Sequence, residues 1–168
     1  MMDEIENILN SISVMLSSKN LTVATAESCT GGLIGHLFTN LSGSSTYYDR
    51  GVISYSNQAK IELLDVSPDL LETFGAVSEQ VAKAMAEGVR KKSKVDIGIS
   101  STGIAGPTGG TEEKPVGLVY IGLSTKNHTQ VNRYVFSKDR LGNKQETAKH
   151  ALLMLKDYLM VFNGMNHD

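Results

Sequence analysis

Residues 21–26 and 33–41 are apolar stretches, and the six residues between them are Glu27-Ser28-Cys29-Thr30-Gly31-Gly32. That order predicts a strand, a sharp polar turn and a helix. The first amides of a helix have no intrahelical acceptor, and the helix dipole adds partial positive charge there. Hydroxyls, a thiol and glycines at that point suit a site that holds an anion or steadies a developing oxyanion.

The same alternation continues along the chain. Ile5, Ile8, Leu9, Ile12 and Met15 recur at helical spacing and predict an amphipathic helix over residues 3–18. Residues 21–26 read as a strand, 30–41 as a helix, 42–45 as a loop and 52–55 as a second strand. Asn57 is placed as the N-cap of a helix running to about Leu64. Pro68 opens a short helical piece, and Ser78 caps a stronger helix with Val81, Met85 and Val89 on its inner face. Val95, Ile97 and Ile99 alternate as a strand. A Gly-rich loop over 102–115 leads to adjacent strands at 116–123 and 131–136, and Ala148, Leu152, Leu155, Leu159 and Phe162 mark a closing helix. This order predicts an α/β sheet with helices on both faces and an antiparallel pair late in the chain. No repeat or linker divides residues 1–168, which read as one domain, with an N-terminal helix within 1–20 and a frayed tail at 163–168.

A chain of 168 residues can bury one sizeable core. No apolar run approaches the roughly 20 residues of a membrane span, and Asp3, Glu4 and Glu6 do not fit a signal peptide. The single cysteine excludes an internal disulfide and fits a reducing compartment, so a cytoplasmic location is expected. A net charge of −2 gives no reason to expect a nucleic-acid partner. The one basic run, Arg90-Lys91-Lys92 with Lys94, falls where a helix should end. It reads as a solvated helix terminus, with a phosphate patch as the minor alternative.

Familiar phosphate motifs do not hold. Gly103, Gly106, Gly109 and Gly110 follow a strand, but their spacing is not G-x-G-x-x-G, and a strand rather than a helix comes next. The turn at Glu27 lacks the Gly-Lys-Ser/Thr of a P-loop. His36, His128, His150 and His167 show no metal-ligand spacing and no local sign of a Ser-His-Asp triad, so no metal is expected. Cys29 is a nucleophile candidate, since a helix N-terminus lowers a thiol pKa; a small residue filling space beneath the turn is the favoured alternative.

Residues 43–60, GSSTYYDRGVISYSNQAK, offer a different chemistry. Lys60 in a first helical turn opposes the dipole, and partial burial would push it the same way, toward the neutral amine. A neutral lysine takes a proton from a serine, directly or through a tyrosine. On spacing alone, a surface lysine with a core tyrosine is the stronger reading of the segment. The stretch TGIAGPTGGTEEKPVG from Thr102 is too long for a mere connection. The turns after residues 26, 55 and 101 converge on one site if their strands are parallel.

Those segments together resemble the CinA C-terminal family, the nicotinamide-nucleotide amidases. The matching stretches are AESCTGGLIG at 26–35, GSSTYYDRGVISYSNQAKIELL at 43–64, FGAVSEQVAKAMAEG at 74–88 and STGIAGPTGGTEEKPVGLVYIGL at 101–123. The resemblance implies a three-layer α/β/α sandwich around a mostly parallel mixed sheet, homodimeric or larger, with no metal or other cofactor and no membrane partner. It implies hydrolysis of the carboxamide of nicotinamide mononucleotide to nicotinic acid mononucleotide and ammonia. Many relatives carry a larger N-terminal domain, which this chain is expected to lack. On matched positions the implied catalytic residues are Ser45 as nucleophile with Tyr55 and Lys60, and Ser28 is the second candidate nucleophile. Thr30, Gly31, Gly32, Thr102, Gly103 and Gly106 join Ser28 in an implied substrate-binding and oxyanion wall. Arg140, in FSKDRLGNK, is the implied phosphate contact, with Arg133 or Lys114 as substitutes. A non-catalytic nucleotide-binding module and an amidase for another small carboxamide are the rival functions.

Overall fold

The computed structural model runs α1 (Met2–Lys19), β1 (Val23–Glu27), α2 (Leu33–Thr39), a 3-10 turn (Ser44–Thr46), β2 (Tyr48–Ile53), α3 (Asn57–Leu64), α4 (Pro68–Phe74), α5 (Glu79–Ser93), β3 (Ile97–Gly103), β4 (Leu118–Ser124), β5 (Thr129–Val135) and α6 (Arg140–Val161). It describes residues 2–162, and the tail expected over 163–168 lies outside them.

The five strands lie in the order β2-β1-β3-β4-β5. β1 pairs in parallel with both β2 and β3, and β4 runs antiparallel to both β3 and β5. Only β4 is therefore reversed, which is the mostly parallel mixed sheet that the family resemblance implies. Side chains alternate across each strand and sort the helices into two layers. Val23, Ile97, Ile99, Val119 and Ile121 face α1, α2 and α6, packing on Ile12, Leu16, Ile34, Phe38, Leu152 and Leu155. Ala24 and Ala26 face α3, α4 and α5, whose Leu64, Leu71, Val81, Met85 and Val89 close the second core. No helix among the described residues is long and apolar enough to cross a membrane.

The structure moves several predicted boundaries. β2 begins at Tyr48, not at 52, because it is an edge strand whose polar Asp49 and Arg50 face solvent and carry no apolar signal. β3 extends through Gly103, so Thr102 and Gly103 are strand residues rather than loop. Ser56, not Asn57, caps α3, its Oγ accepting from the Ala59 amide at 3.0 Å. α2 starts only at Leu33, because Gly31 (φ 60°) and Gly32 (φ 104°) hold left-handed conformations that end the turn.

Small residues let α5 approach both the sheet and α3. A β-carbon at Gly88 would collide with the Leu64 carbonyl oxygen at the end of α3. Alanine is the better helix former by about 1 kcal/mol, but overpacking against rigid backbone costs about 1–3 kcal/mol. Gly88→Ala is therefore expected to destabilise the chain, read as a lower urea midpoint with an unchanged slope. A raised midpoint would show that α3 yields freely.

Candidate active site

Because β1, β2 and β3 are parallel, the chain leaves all three at one edge of the sheet. A cleft of about 190 Å³ opens there, lined among others by Ser28, Tyr55, Asn57, Lys60, Thr102 and Arg140. Such edges are where open α/β sheets bind ligands.

Lys60 is the unusual group in this cleft. It rises from the first turns of α3 and is only 1% exposed. Its Nζ donates to Ser28 Oγ at 3.0 Å, to the Ser54 carbonyl at 2.9 Å and to the Tyr55 carbonyl at 3.1 Å. Burial pushes its pKa below the ordinary 10.5. A neutral amine has two N–H groups, enough for the two carbonyls. Its lone pair then faces the Ser28 hydroxyl, so the two carbonyls aim the base.

The turn that carries Ser28 is braced from beneath. Glu27, 1% exposed, accepts from the Ile34 amide at 2.8 Å, the Gly35 amide at 2.9 Å and Thr30 Oγ1 at 2.6 Å. The carboxylate thus satisfies the start of α2 from inside the chain, as a capping anion does. Thr30 Oγ1 also pairs with Ser101 Oγ at 2.7 Å, and the Ser28 amide donates to the Ser101 carbonyl at 2.9 Å. These bonds fix Ser28 between β1 and β3. Among the described residues the amides of Cys29 and Thr30 donate to no backbone carbonyl.

The remaining expected site residues divide. Thr102 and Gly103 line the cleft, with Thr102 Oγ1 donating to the Ala76 carbonyl at 2.8 Å. Arg140 lines it too: Nη1 donates to the Gly106 carbonyl at 2.7 Å and Nη2 to Tyr55 Oη at 3.4 Å. The guanidinium therefore ties the Gly-rich loop to the tyrosine. Arg133 and Lys114 are absent from the lining; Lys114 Nζ instead donates to the Phe74 carbonyl at 2.6 Å. Thr30, Gly31 and Gly32 shape the turn without reaching the cleft wall. The Cys29 thiol is buried and its pKa is pushed up to about 12, so it stays protonated, as expected of a small residue filling space.

Ser45 does not reach this site. It is an exposed residue of the 3-10 turn before β2. The six residues of β2, at about 3.3 Å each, separate that turn from Tyr55 by about 20 Å. Since β2 parallels β1, Ser45 lies at the edge opposite Ser28. Nor do the side chains of Tyr55 and Lys60 pair: the tyrosine is 64% exposed, and Lys60 binds its carbonyl instead. Sequence reading missed Asn57 as a lining residue because it placed Asn57 at the cap that Ser56 occupies. The available signal was Ser56 itself, an equally good cap residue one position earlier.

Fold and site together define an α/β/α sandwich with a buried serine–lysine pair at the carboxyl edge of its parallel strands. The CinA C-terminal domain model matches residues 5–159, and the chain belongs to that family. A Caldicellulosiruptor saccharolyticus protein named as competence-damage inducible is 56% identical over 142 residues, covering 84% of this chain and 34% of that protein. A CinA-like protein of Syntrophus aciditrophicus is 49% identical over 155 residues, covering 92% of this chain and 37% of its own. The chain thus spans about a third of the length of the curated relatives it matches. Among solved structures, the competence/damage inducible protein CihA from Agrobacterium tumefaciens matches with a TM-score of 0.89 at 40% identity, over 93% of this chain and 95% of that one. A CinA superfamily protein from Klebsiella pneumoniae matches with a TM-score of 0.90 at 28% identity, over 93% and 98%.

Proposed function

We propose that this domain hydrolyses the carboxamide of nicotinamide mononucleotide to nicotinic acid mononucleotide and ammonia, with Ser28 as nucleophile and Lys60 as base. The observation that carries this reading is the 3.0 Å approach of a buried lysine, itself biased toward the neutral amine, to the Ser28 hydroxyl. Ser28 Oγ attacks the carboxamide carbon as its proton passes to Lys60 Nζ. The amide of Cys29, which lines the cleft and follows the nucleophile, serves the oxyanion. Lys60 then protonates the departing nitrogen, which leaves as ammonia, and water releases the acid from the Ser28 ester with Lys60 again accepting the proton.

The cleft, about 190 Å³, is small beside the ~300 Å³ at which whole-ligand pockets begin. It suits the pyridine carboxamide, with the ribose phosphate leaving over the rim where Arg140 sits. A guanidinium has five N–H donors, so its bonds to Gly106 and Tyr55 leave others for phosphate.

Ammonia release from nicotinamide mononucleotide by the purified chain tests the activity, and absence of release sinks it. Arg140→Ala tests the phosphate subsite. KM for the nucleotide is expected to rise by about tenfold or more with a smaller change in kcat, and the unphosphorylated riboside should not distinguish variant from wild type. Equal losses on both substrates would make Arg140 only a clip for the Gly-rich loop and favour an amidase for another carboxamide.

A further inference from the structure

Helix α5 crosses the sheet from the Ser28 edge to the opposite one. Ala76 and Val77, just before it, line the Ser28 cleft. Its last turns lie where β3 begins and the β4–β5 turn closes, since Gly98 pairs with Ser124. There the helix and the turn enclose a second cleft of about 410 Å³. Lys83, Arg90, Lys91 and Lys126 line it against a single carboxylate, Glu87. Such a concentration of cations runs against the chain's overall charge of −2. None of the four forms an ion pair among the described residues. Lys92 differs: it bridges to Asp65 at 3.0 Å. The basic run thus divides, with Lys92 tied to the end of α3 while Arg90 and Lys91 face the cleft.

Arg90 is held rather than loose. Its Nε donates to Ser124 Oγ at 3.0 Å, and Ser124 is fully buried and accepts from Thr129 Oγ1 at 3.0 Å. Gly98 makes room for this stretch of α5, since a β-carbon there would stand 2.8 Å from Arg90 Cβ. The turn opposite is fixed as well, the Thr125 amide donating to the His128 carbonyl at 2.8 Å and the His128 amide to Thr125 Oγ1 at 3.3 Å. With Nε engaged, the Nη protons of Arg90 remain for a ligand. A fixed guanidinium fork flanked by ammonium groups matches the charged oxygens of phosphate.

From this geometry we infer a second ligand site, distinct from the Ser28 cleft, for a small anion bearing two or more phosphate groups. Both the number of cations and the size of the cleft exceed what a single phosphate requires.

The test is calorimetric titration of inorganic tripolyphosphate into the full chain at low salt, where such contacts are least screened. Binding should persist in Arg140→Ala, which alters only the Ser28 cleft. Arg90→Ala combined with Lys126→Ala should weaken it by about tenfold or more, and Lys126→Ala alone by less. Lys126 sits on an exposed turn, so its variant keeps the test alive if replacing Arg90 disturbs folding. Lys92→Ala combined with Lys94→Ala removes equal charge outside the cleft and should change little. The inference fails if nothing binds up to about 10 mM, if the Lys92/Lys94 pair of changes weakens binding as much, or if Arg140→Ala abolishes it. A nucleoside triphosphate binding no more weakly than tripolyphosphate supports a phosphate-reading site. A single-stranded oligonucleotide that outcompetes both at equal phosphate concentration overturns the small-anion assignment.

Discussion

Ser28→Ala is expected to lower ammonia release from nicotinamide mononucleotide by about a thousandfold or more, the scale of losing an activated nucleophile. Ser45→Ala should stay within about twofold of wild type, as an exposed residue remote from the chemistry does. The pair of measurements decides between two serines in one chain. Ser28 lies 3.0 Å from a buried base, whereas Ser45 is exposed at the opposite sheet edge. The alanine at 28 leaves the Ser28 amide and its bond to Ser101 intact, so the turn should keep its shape. A collapse of activity in Ser45→Ala with Ser28→Ala unaffected would reverse the assignment.

Lys60→Met is expected to be as severe, because it removes the only base that contacts Ser28 among the described residues. Lys60→Arg should not rescue it, since a guanidinium stays protonated at any working pH. In the wild type, the working lysine is the neutral amine, and burial has lowered its pKa. Activity is therefore expected to fall as pH drops below that lowered value.

Stability carries the same signature. The unfolded chain holds the Lys60 proton up to about 10.5, while the folded chain releases it earlier. Between the two values the unfolded state binds more protons, so wild-type stability should rise with pH relative to Lys60→Met, by up to about 1.4 kcal/mol per pH unit. This relative gain is complete above 10.5 and is lost as pH falls to the folded-state pKa. Denaturant titrations of both chains across alkaline pH would show it. Parallel stability curves would mean that Lys60 keeps an ordinary pKa, and the proposed base would lose its physical support.

Much of the architecture was legible because the strongest signals were local. Ile8 and Ile12 on α1 and Val81, Met85 and Val89 on α5 follow the period of a helix that buries one face. β2 was misread because nothing apolar marks Asp49 and Arg50 in an edge strand. Ser45 entered as nucleophile through the matched positions of the family resemblance, and a strand expected only from 52 left its loop free to reach Tyr55. Lys60 was picked out by its place in a helical turn, but its partner was not, because Ser28 lies 32 positions away in the sequence.

The sequence by itself determined which groups are present and where they sit on their own elements: a hydroxyl-rich turn after one strand, a lysine in the first turns of a helix after another. These are matters of short-range periodicity, capping and turn chemistry. Tertiary structure alone decided which serine meets the lysine. Parallel pairing of β1 with β2 brings their carboxyl ends together and sends the start of β2 to the far edge, and strand direction is a long-range property that no local pattern encodes.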